Sequence, residues 1–476
     1  MSGTYGKPLE MLSCDAVALA EDLRNGRISP LTLVQQALER SGQVQVAFNA
    51  FTAIRRKEAL LAAEAAEMAL KRGDPVGPLC GVPVAVKETT AVAGDLWTEG
   101  SWIFANRVAG HDATVVSSLK QAGAILLART ASPEFAWAGT TQSPLWGVTR
   151  NPLDPARTPG GSSGGAGVAV ATGCVPIAEG SDMGGSIRIP ASCCGVYGFK
   201  PSQGRIPFTA VPVLKDPLSH WGPLARSVRD VALFMDVAQG GGDWGYDTPP
   251  PVAFREQLAL RDIGTIRVGV SVDLGCYAVA PDIEAAFETA VEAFARAGAE
   301  VREVFPDLPP EMVNVWDREW DVWQAFVHGE EVRGREQELD PSVRRIIAAG
   351  KRVSAVQYRE GEIVRLEMWK NIRDIFRSCD VFVCPTLALD VPFIDGPYPA
   401  ENGVPDGRLH EVTMTGPFNL LARLPVLSVP VGQSASGMPV GMQIVGRPGD
   451  DLTVLQVAHM MEQAGVVWRG ACDQKI

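Results

Sequence analysis

Two glycine-rich segments in close succession constrain this chain more than any other feature. The first runs Thr158-Pro-Gly-Gly-Ser-Ser-Gly-Gly-Ala-Gly167, and after a run of small residues the second runs Gly180-Ser-Asp-Met-Gly-Gly-Ser-Ile-Arg-Ile-Pro190. Glycine at this density lets backbone N–H groups approach a ligand closely, which suits either a phosphate or an oxyanion. The phosphate reading fails on detail. No Gly-Lys-Ser/Thr closes the loop, neither segment contains G-x-G-x-x-G, and no acidic residue stands at the spacing of a dinucleotide site. Serine chemistry of the familiar kinds fits poorly too, because G-x-S-x-G, which occurs at Gly160 to Gly164 and at Gly161 to Gly165, follows no apolar strand and so does not form the strand-to-helix elbow. The five histidines, His111, His220, His328, His410 and His459, lie outside both loops and read as surface or core residues. An S-x-x-K match at Ser117 to Lys120 falls within a helical pattern and lacks its companion motifs.

The flanking pattern alternates helices with short apolar runs, which predicts an α/β fold with a mixed sheet covered by helices. Helices are expected over Asp15 to Leu23, from Ser29-Pro30 onward, and over Lys57 to Lys71, Ala113 to Ala122, Ile283 to Ala297 and Thr453 to Gln463. Buried strands are expected over Gly81 to Val86, Ala124 to Ala128, Thr265 to Ser271, Val381 to Cys384, Val426 to Pro430 and Gly441 to Val445. No linker divides the chain, so residues 1–476 read as one domain. The Gly240 to Asp243 and Pro249 to Pro251 stretches read as surface excursions.

Composition narrows the partners. Of 476 residues 46% are hydrophobic and 21% charged, enough apolar material for a large core, and the formal charge is −12. With no basic run, a nucleic-acid partner has no electrostatic footprint, and small molecules are expected instead. The polar start, Met1 to Pro8, and the short apolar stretch Ala166 to Ala178, broken by Pro176, predict no membrane association and a cytoplasmic protein. The nine cysteines include no C-x-x-C pair and no zinc-spaced cluster, so they read as buried thiols, Cys193-Cys194 as small residues in a packed turn. No metal or cofactor is expected.

Together, Gly160-Gly-Ser-Ser-Gly-Gly165, Asp182-Met-Gly-Gly-Ser-Ile-Arg-Ile-Pro190 and Cys194-Gly-Val-Tyr-Gly-Phe-Lys-Pro201 resemble the core of the amidase signature family. The likeness extends upstream through Gly81-Val-Pro-Val-Ala-Val-Lys-Glu88 and Pro133-Glu-Phe-Ala136. Downstream it takes in Cys384-Pro-Thr386, Asn419, Leu427 to Gly432 and Pro439 to Gly446. The signature core spans about 75–235, and about 240–375 is a divergent, substrate-side region. The resemblance implies an amide hydrolase working through an acyl-enzyme on a small carboxamide or anilide, with Ser186 as nucleophile, Ser162 as bridging serine and Lys87 as base. An alcohol needs an adjacent base to attack an amide, and lysine serves only when neutral. Free lysine titrates at ~10.4, so bringing it to ~7 costs about 4–5 kcal/mol, a task for burial and hydrogen bonds. Met183, Gly184, Gly185 and Ser186 offer consecutive N–H groups for an oxyanion hole. Asp182 and Arg188 are expected to brace that loop, and Ser163 to be either a second hydrogen-bonding serine or a plain turn residue.

Within the family, glutaminase subunits of tRNA-dependent amidotransferases usually carry Gln after Ser-Ile-Arg and a Ser-Leu-Asp-Gln-Ile-Gly-Pro stretch. This chain has Ile189 and Leu218-Ser-His-Trp-Gly-Pro223 there, and Asn419 to Pro425 looks like free-standing bacterial amidases. The glutaminase reading stands second, with a catalytically silent scaffold third. Trp316, Trp320, Trp323 and Val327 fall on one helical face and read as core or subunit contact, which allows a homodimer. Were some to line the pocket, they would favour an aromatic or hydrophobic substrate group.

Overall fold

The computed structural model describes residues 15–468, apart from 211, 212, 214, 215, 217, 241–247, 396–399, 402, 403, 406 and 407. Its centre is an eleven-stranded sheet. In chain order the strands are β1 (Phe51–Ile54), β2 (Pro83–Lys87), β3 (Ile125–Thr130), β4 (Ile177–Asp182), β5 (Tyr197–Lys200), β6 (His220–Ala225), β7 (Arg267–Val270), β8 (Glu300–Glu303), β9 (Val381–Pro385), β10 (Val426–Gln433) and β11 (Pro439–Gly446). Across the sheet they lie in the order β1-β3-β2-β4-β6-β5-β10-β11-β9-β7-β8. The sheet is mixed: β2 runs parallel to β3 and to β4, whereas β10 is antiparallel to β5 and β11.

Alternate residues of single strands feed two different apolar clusters. Leu427 of β10 and Val383 of β9 join one cluster, and Val426 and Phe382 join the other. Side chains one apart on a strand point to opposite faces, so both faces are covered, as the continuous apolar runs implied. The expected helices form with ends shifted by a few residues, among them Arg56–Arg72, Thr114–Gln121 and Asp451–Gln463. Ser29 caps its helix by accepting from Thr32 N, with Pro30 in the first turn. Lys120 of the S-x-x-K match pairs with Asp112 at 2.7 Å. Of the two surface excursions, residues 241–243 lie outside the described residues, while Pro250 O accepts from Arg205 at 2.6 Å.

One segment departs from the sequence reading. Gly180-Ser-Asp is strand, not loop: β4 runs on through Asp182 and pairs antiparallel with β6 from Ile177↔Ala225 to Asp182↔His220. Glycine at 180 is no obstacle because β2 anchors the strand at Ile177 and Ala178 and β6 pairs along its whole length, Gly180 facing Gly222. The turn that follows leads into a short helix, α2 (Arg188–Cys194), while the first glycine-rich loop leads into α1 (Gly164–Ala171). Cys193 and Cys194 are in α2 and fully buried, and burial pushes both thiols up, away from the reactive thiolate.

Candidate active site

The end of β2 delivers Lys87 into the middle of the sheet, beside the end of β4. Lys87 is wholly buried, and its Nζ donates to Ser162 Oγ at 2.6 Å and lies 3.0 Å from Ser181 Oγ. Its backbone N–H donates to Glu179 Oε2 at 2.9 Å, and Thr90 Oγ1 donates to Glu179 Oε1. Burial pushes the ammonium down to about 7, opposed by the negative charges of Glu179, Asp182 and Glu88. The same burial raises the Glu179 carboxyl, so the two groups share one buried charge balance. The sequence expectation for Lys87 needs this environment. Glu179 and Ser181, which complete it, escape sequence reasoning because the glycine between them mimics a loop.

Ser162 follows a cis peptide bond from Gly161 and is also wholly buried. Ser163 donates to Ser181 O at 3.3 Å, and its N–H donates to Ser186 O at 3.1 Å. These bonds tie the first glycine-rich loop to the second. Ser186 itself is half-buried, and among the described residues its hydroxyl makes no hydrogen bond.

The turn carrying Ser186 is shaped by a buried ion pair. Arg188 reaches Asp182 through two parallel contacts, Nε to Oδ2 at 3.0 Å and NH2 to Oδ1 at 2.9 Å, with both side chains fully buried. Asp182 also accepts from Gly185 N, Ile187 N and Asn419 Nδ2. Burial alone would raise its pKa; the Arg188 charge and these bonds hold the carboxyl far below its ordinary value. Arg188 further donates to Thr415 O, Gln443 Oε1 and Asn419 Oδ1. Asp182 and Arg188 thus bond to each other and to the backbone of the turn. The Gly185 N–H is taken up by Asp182, so three of the four candidate oxyanion donors are free of partners among the described residues: the N–H groups of Met183, Gly184 and Ser186.

Two clefts flank this turn. One is bordered by Gly184, Tyr277, Met312, Trp316 and His410. The other is bordered by Ser181 and Met183 together with Trp97, Phe135, Trp221, Trp323 and His328. The helix α3 (Met312–His328) serves both. Its stripe is a stack, Trp316 on Trp320 at 5.8 Å and Trp320 on Trp323 at 5.4 Å between ring centres. Trp316 and Val327 border different clefts, while Trp320 is buried between them. Of the histidines, His220 and His328 are buried and His410 pairs with Asp317 at 2.7 Å; none contacts Lys87. Among the described residues no group of three His, Cys, Asp or Glu is placed to hold a metal, and no helix is long and apolar enough to cross a membrane.

A wide mixed sheet with a lysine buried beneath two glycine-serine loops defines a class of hydrolases acting on amides. The family model described as "Amidase" matches residues 32–455, and the chain belongs to the amidase signature family. It is 32% identical to an acylamidase of Rhodococcus erythropolis, over 94% of each chain. It is 33% identical to a glutamyl-tRNA(Gln) amidotransferase subunit of Roseiflexus sp. (strain RS-1), over 93% of this chain and 94% of that one. Among solved structures, a bacterial aryl acylamidase of the same family superposes with a TM-score of 0.90 at 30% identity, covering 97% of this chain and 98% of the other.

Proposed function

We propose that this protein is a free-standing amidase that cleaves a small carboxamide or anilide through an acyl-enzyme on Ser186. The observation that carries the reading is the Lys87–Ser162 contact, a wholly buried lysine 2.6 Å from a serine hydroxyl with its pKa pushed down to about 7. A neutral amine there accepts the Ser162 proton while Ser162 accepts that of Ser186, leaving Ser186 Oγ to attack the amide carbon. The relay needs Ser186 to close on Ser162 when substrate fills the clefts, a tightening usual on going from free to bound enzyme.

As Ser186 Oγ bonds to carbon, the carbonyl oxygen becomes an oxyanion, for which the free N–H groups of the Met183 to Ser186 turn are the available donors. Collapse expels the amine, which takes its proton back along Ser162 from the charged Lys87. A water then attacks the ester by the same relay in reverse, releasing the acid and restoring the hydroxyl.

Ile189 and the Leu218 to Pro223 stretch favour a free-standing enzyme over a glutaminase subunit, since both depart from the pattern of such subunits. The aromatic rings of α3 favour a substrate with a flat or apolar arm. The test is release of ammonia or amine by the purified chain from aryl and alkyl amides, anilides and esters. Release only from glutamine with a partner protein added would replace this reading with the glutaminase one, and no release from a folded chain would replace it with a scaffold.

A further inference from the structure

The cleft beside Ser181 and Met183 contains a polar feature that the proposed chemistry does not use. His328, at the end of α3, borders it and is 2% exposed, yet neither of its ring nitrogens takes a hydrogen bond from the protein. Burying an imidazole without partners destabilises the fold, so its presence needs a reason. Its ring is held by stacking on Phe135 at 4.0 Å between centres, with 12° between the planes. Burial holds its pKa down to about 3, so the ring is neutral, with one N–H to give and one lone pair to receive.

Facing it is Glu99, another residue of the same cleft, whose Oε2 stands 3.6 Å from His328 Nε2, too far for a direct hydrogen bond. Burial raises the Glu99 carboxyl, and Arg107 at 2.6 Å from Oε1 offsets part of that cost. A cation from solution therefore gains little there, while Oε2 keeps a lone pair for a neutral donor. The backbone around this pair is held in an unfavourable shape. Glu99, Phe135 and Ala136, all bordering the cleft, sit in the left-handed region at φ 50°, 51° and 55°. Non-glycine residues avoid this region, and such strain gathers where a ligand is gripped. Phe135 N–H donates to Glu99 O at 2.8 Å, so the two strained segments are one unit.

We infer that Glu99 and His328 form a specificity subsite for a neutral hydroxyl group carried on an aromatic arm of the amide substrate. The hydroxyl hydrogen-bonds both, donating to Glu99 Oε2 and meeting a His328 ring nitrogen, while the arm lies among Phe135, Trp221 and Trp323. This rests on the amidase reading, deepening it to a hydroxyaryl amide. It gives His328 a positioning role outside the chemical step.

The experiment compares matched pairs that differ by one hydroxyl: phenylacetamide with 4-hydroxyphenylacetamide, and N-benzylacetamide with N-(4-hydroxybenzyl)acetamide. In at least one pair the hydroxyl compound is expected to have the higher kcat/KM, by about tenfold or more, as a satisfied buried partner implies. His328→Phe keeps the stack on Phe135 and removes both nitrogens, so the ratio should collapse toward one; His328→Asn, which keeps a donor and an acceptor, should retain part of it. Calorimetric binding of the same pairs to Ser186→Ala reads the subsite without catalysis, so inactivity on every amide would count against the amidase and leave this arm to decide. Equal Kd values within both pairs, or a ratio unchanged in His328→Phe, would overturn the proposal.

Discussion

The indole of Trp316 lies against Gly184 so closely that a Cβ at 184 would stand 2.3 Å from Trp316 Cζ2. The same indole donates from Nε1 to Met183 O at 3.0 Å. An aromatic residue of the divergent region thus presses directly on the turn that precedes Ser186, and the absence of a side chain at 184 is what permits it.

Gly184→Ala should therefore displace the indole or the turn, costing about 1–3 kcal/mol of stability as overpacked sites do. Activity should fall more than stability, because the displaced turn carries candidate oxyanion donors. Adding Trp316→Ala to Gly184→Ala should restore part of the lost kcat. A double variant no faster than the single would show that the contact does not set the shape of the turn.

Ser186→Ala should fold like the parent and lose turnover, since the hydroxyl makes no bond among the described residues that folding would miss. A sulfonyl fluoride should label the parent on Ser186, read by peptide mass spectrometry. A label elsewhere, or turnover in the alanine variant close to that of the parent, would remove Ser186 from the nucleophile's role.

Lys87 should gate activity with pH. As the proposed base it is competent only when neutral, so kcat/KM should fall as pH drops through about 7 and the amine charges. Lys87→Ala should remove most activity and flatten that acid limb, leaving a slow residual rate from binding and the oxyanion donors. Lys87→Arg should do no better, since guanidinium keeps its proton here. Stability carries the matching sign. A lysine depressed in the fold disfavours folding fully below its folded pKa, and the cost is relieved as pH rises from about 7 toward the unfolded value of ~10.4. Lys87→Met should lose that rise in denaturant titrations, and an unchanged acid limb in Lys87→Ala would move the base elsewhere.

Arg188→Met should be among the most damaging single changes, at about 3–5 kcal/mol, because it leaves the Asp182 carboxylate buried and uncompensated. Asp182 is held below its ordinary value in the fold, so its stabilisation is present above ~3.9, the unfolded value, and is lost as pH falls through the folded one. Removing Arg188 should shift acid unfolding to higher pH. A variant as acid-resistant as the parent would mean that Asn419 and the backbone donors suffice.

What can be read from the sequence is local. Lys87, Ser162 and Ser186 stand in runs whose resemblance to a family implies their roles, and apolar runs such as Val381 to Cys384 announce buried strands by themselves. What cannot be read depends on partners distant along the chain. Glu179 and Ser181 stay hidden because glycine at 180 mimics a loop until pairing with β6 holds it straight. The spacing of Trp316, Trp320 and Trp323 reveals their shared face but not what it meets, a turn more than a hundred positions earlier. Glu99 and His328 give no signal, since neither lies in a motif and their proximity exists only in the folded chain.

The clamp on Arg188 also bears on the order of events in synthesis. Lys87, Ser162 and Ser186 have all been made by the time Lys200 is added, yet the turn that carries Ser186 is closed by Asn419 and by Gln443 of β11, made more than two hundred residues after Ser186. A nascent or C-terminally shortened chain can hold every residue of the proposed triad and still lack the partners that set its shape. The shape of that turn is thus set by contacts that span more than two hundred positions of the chain.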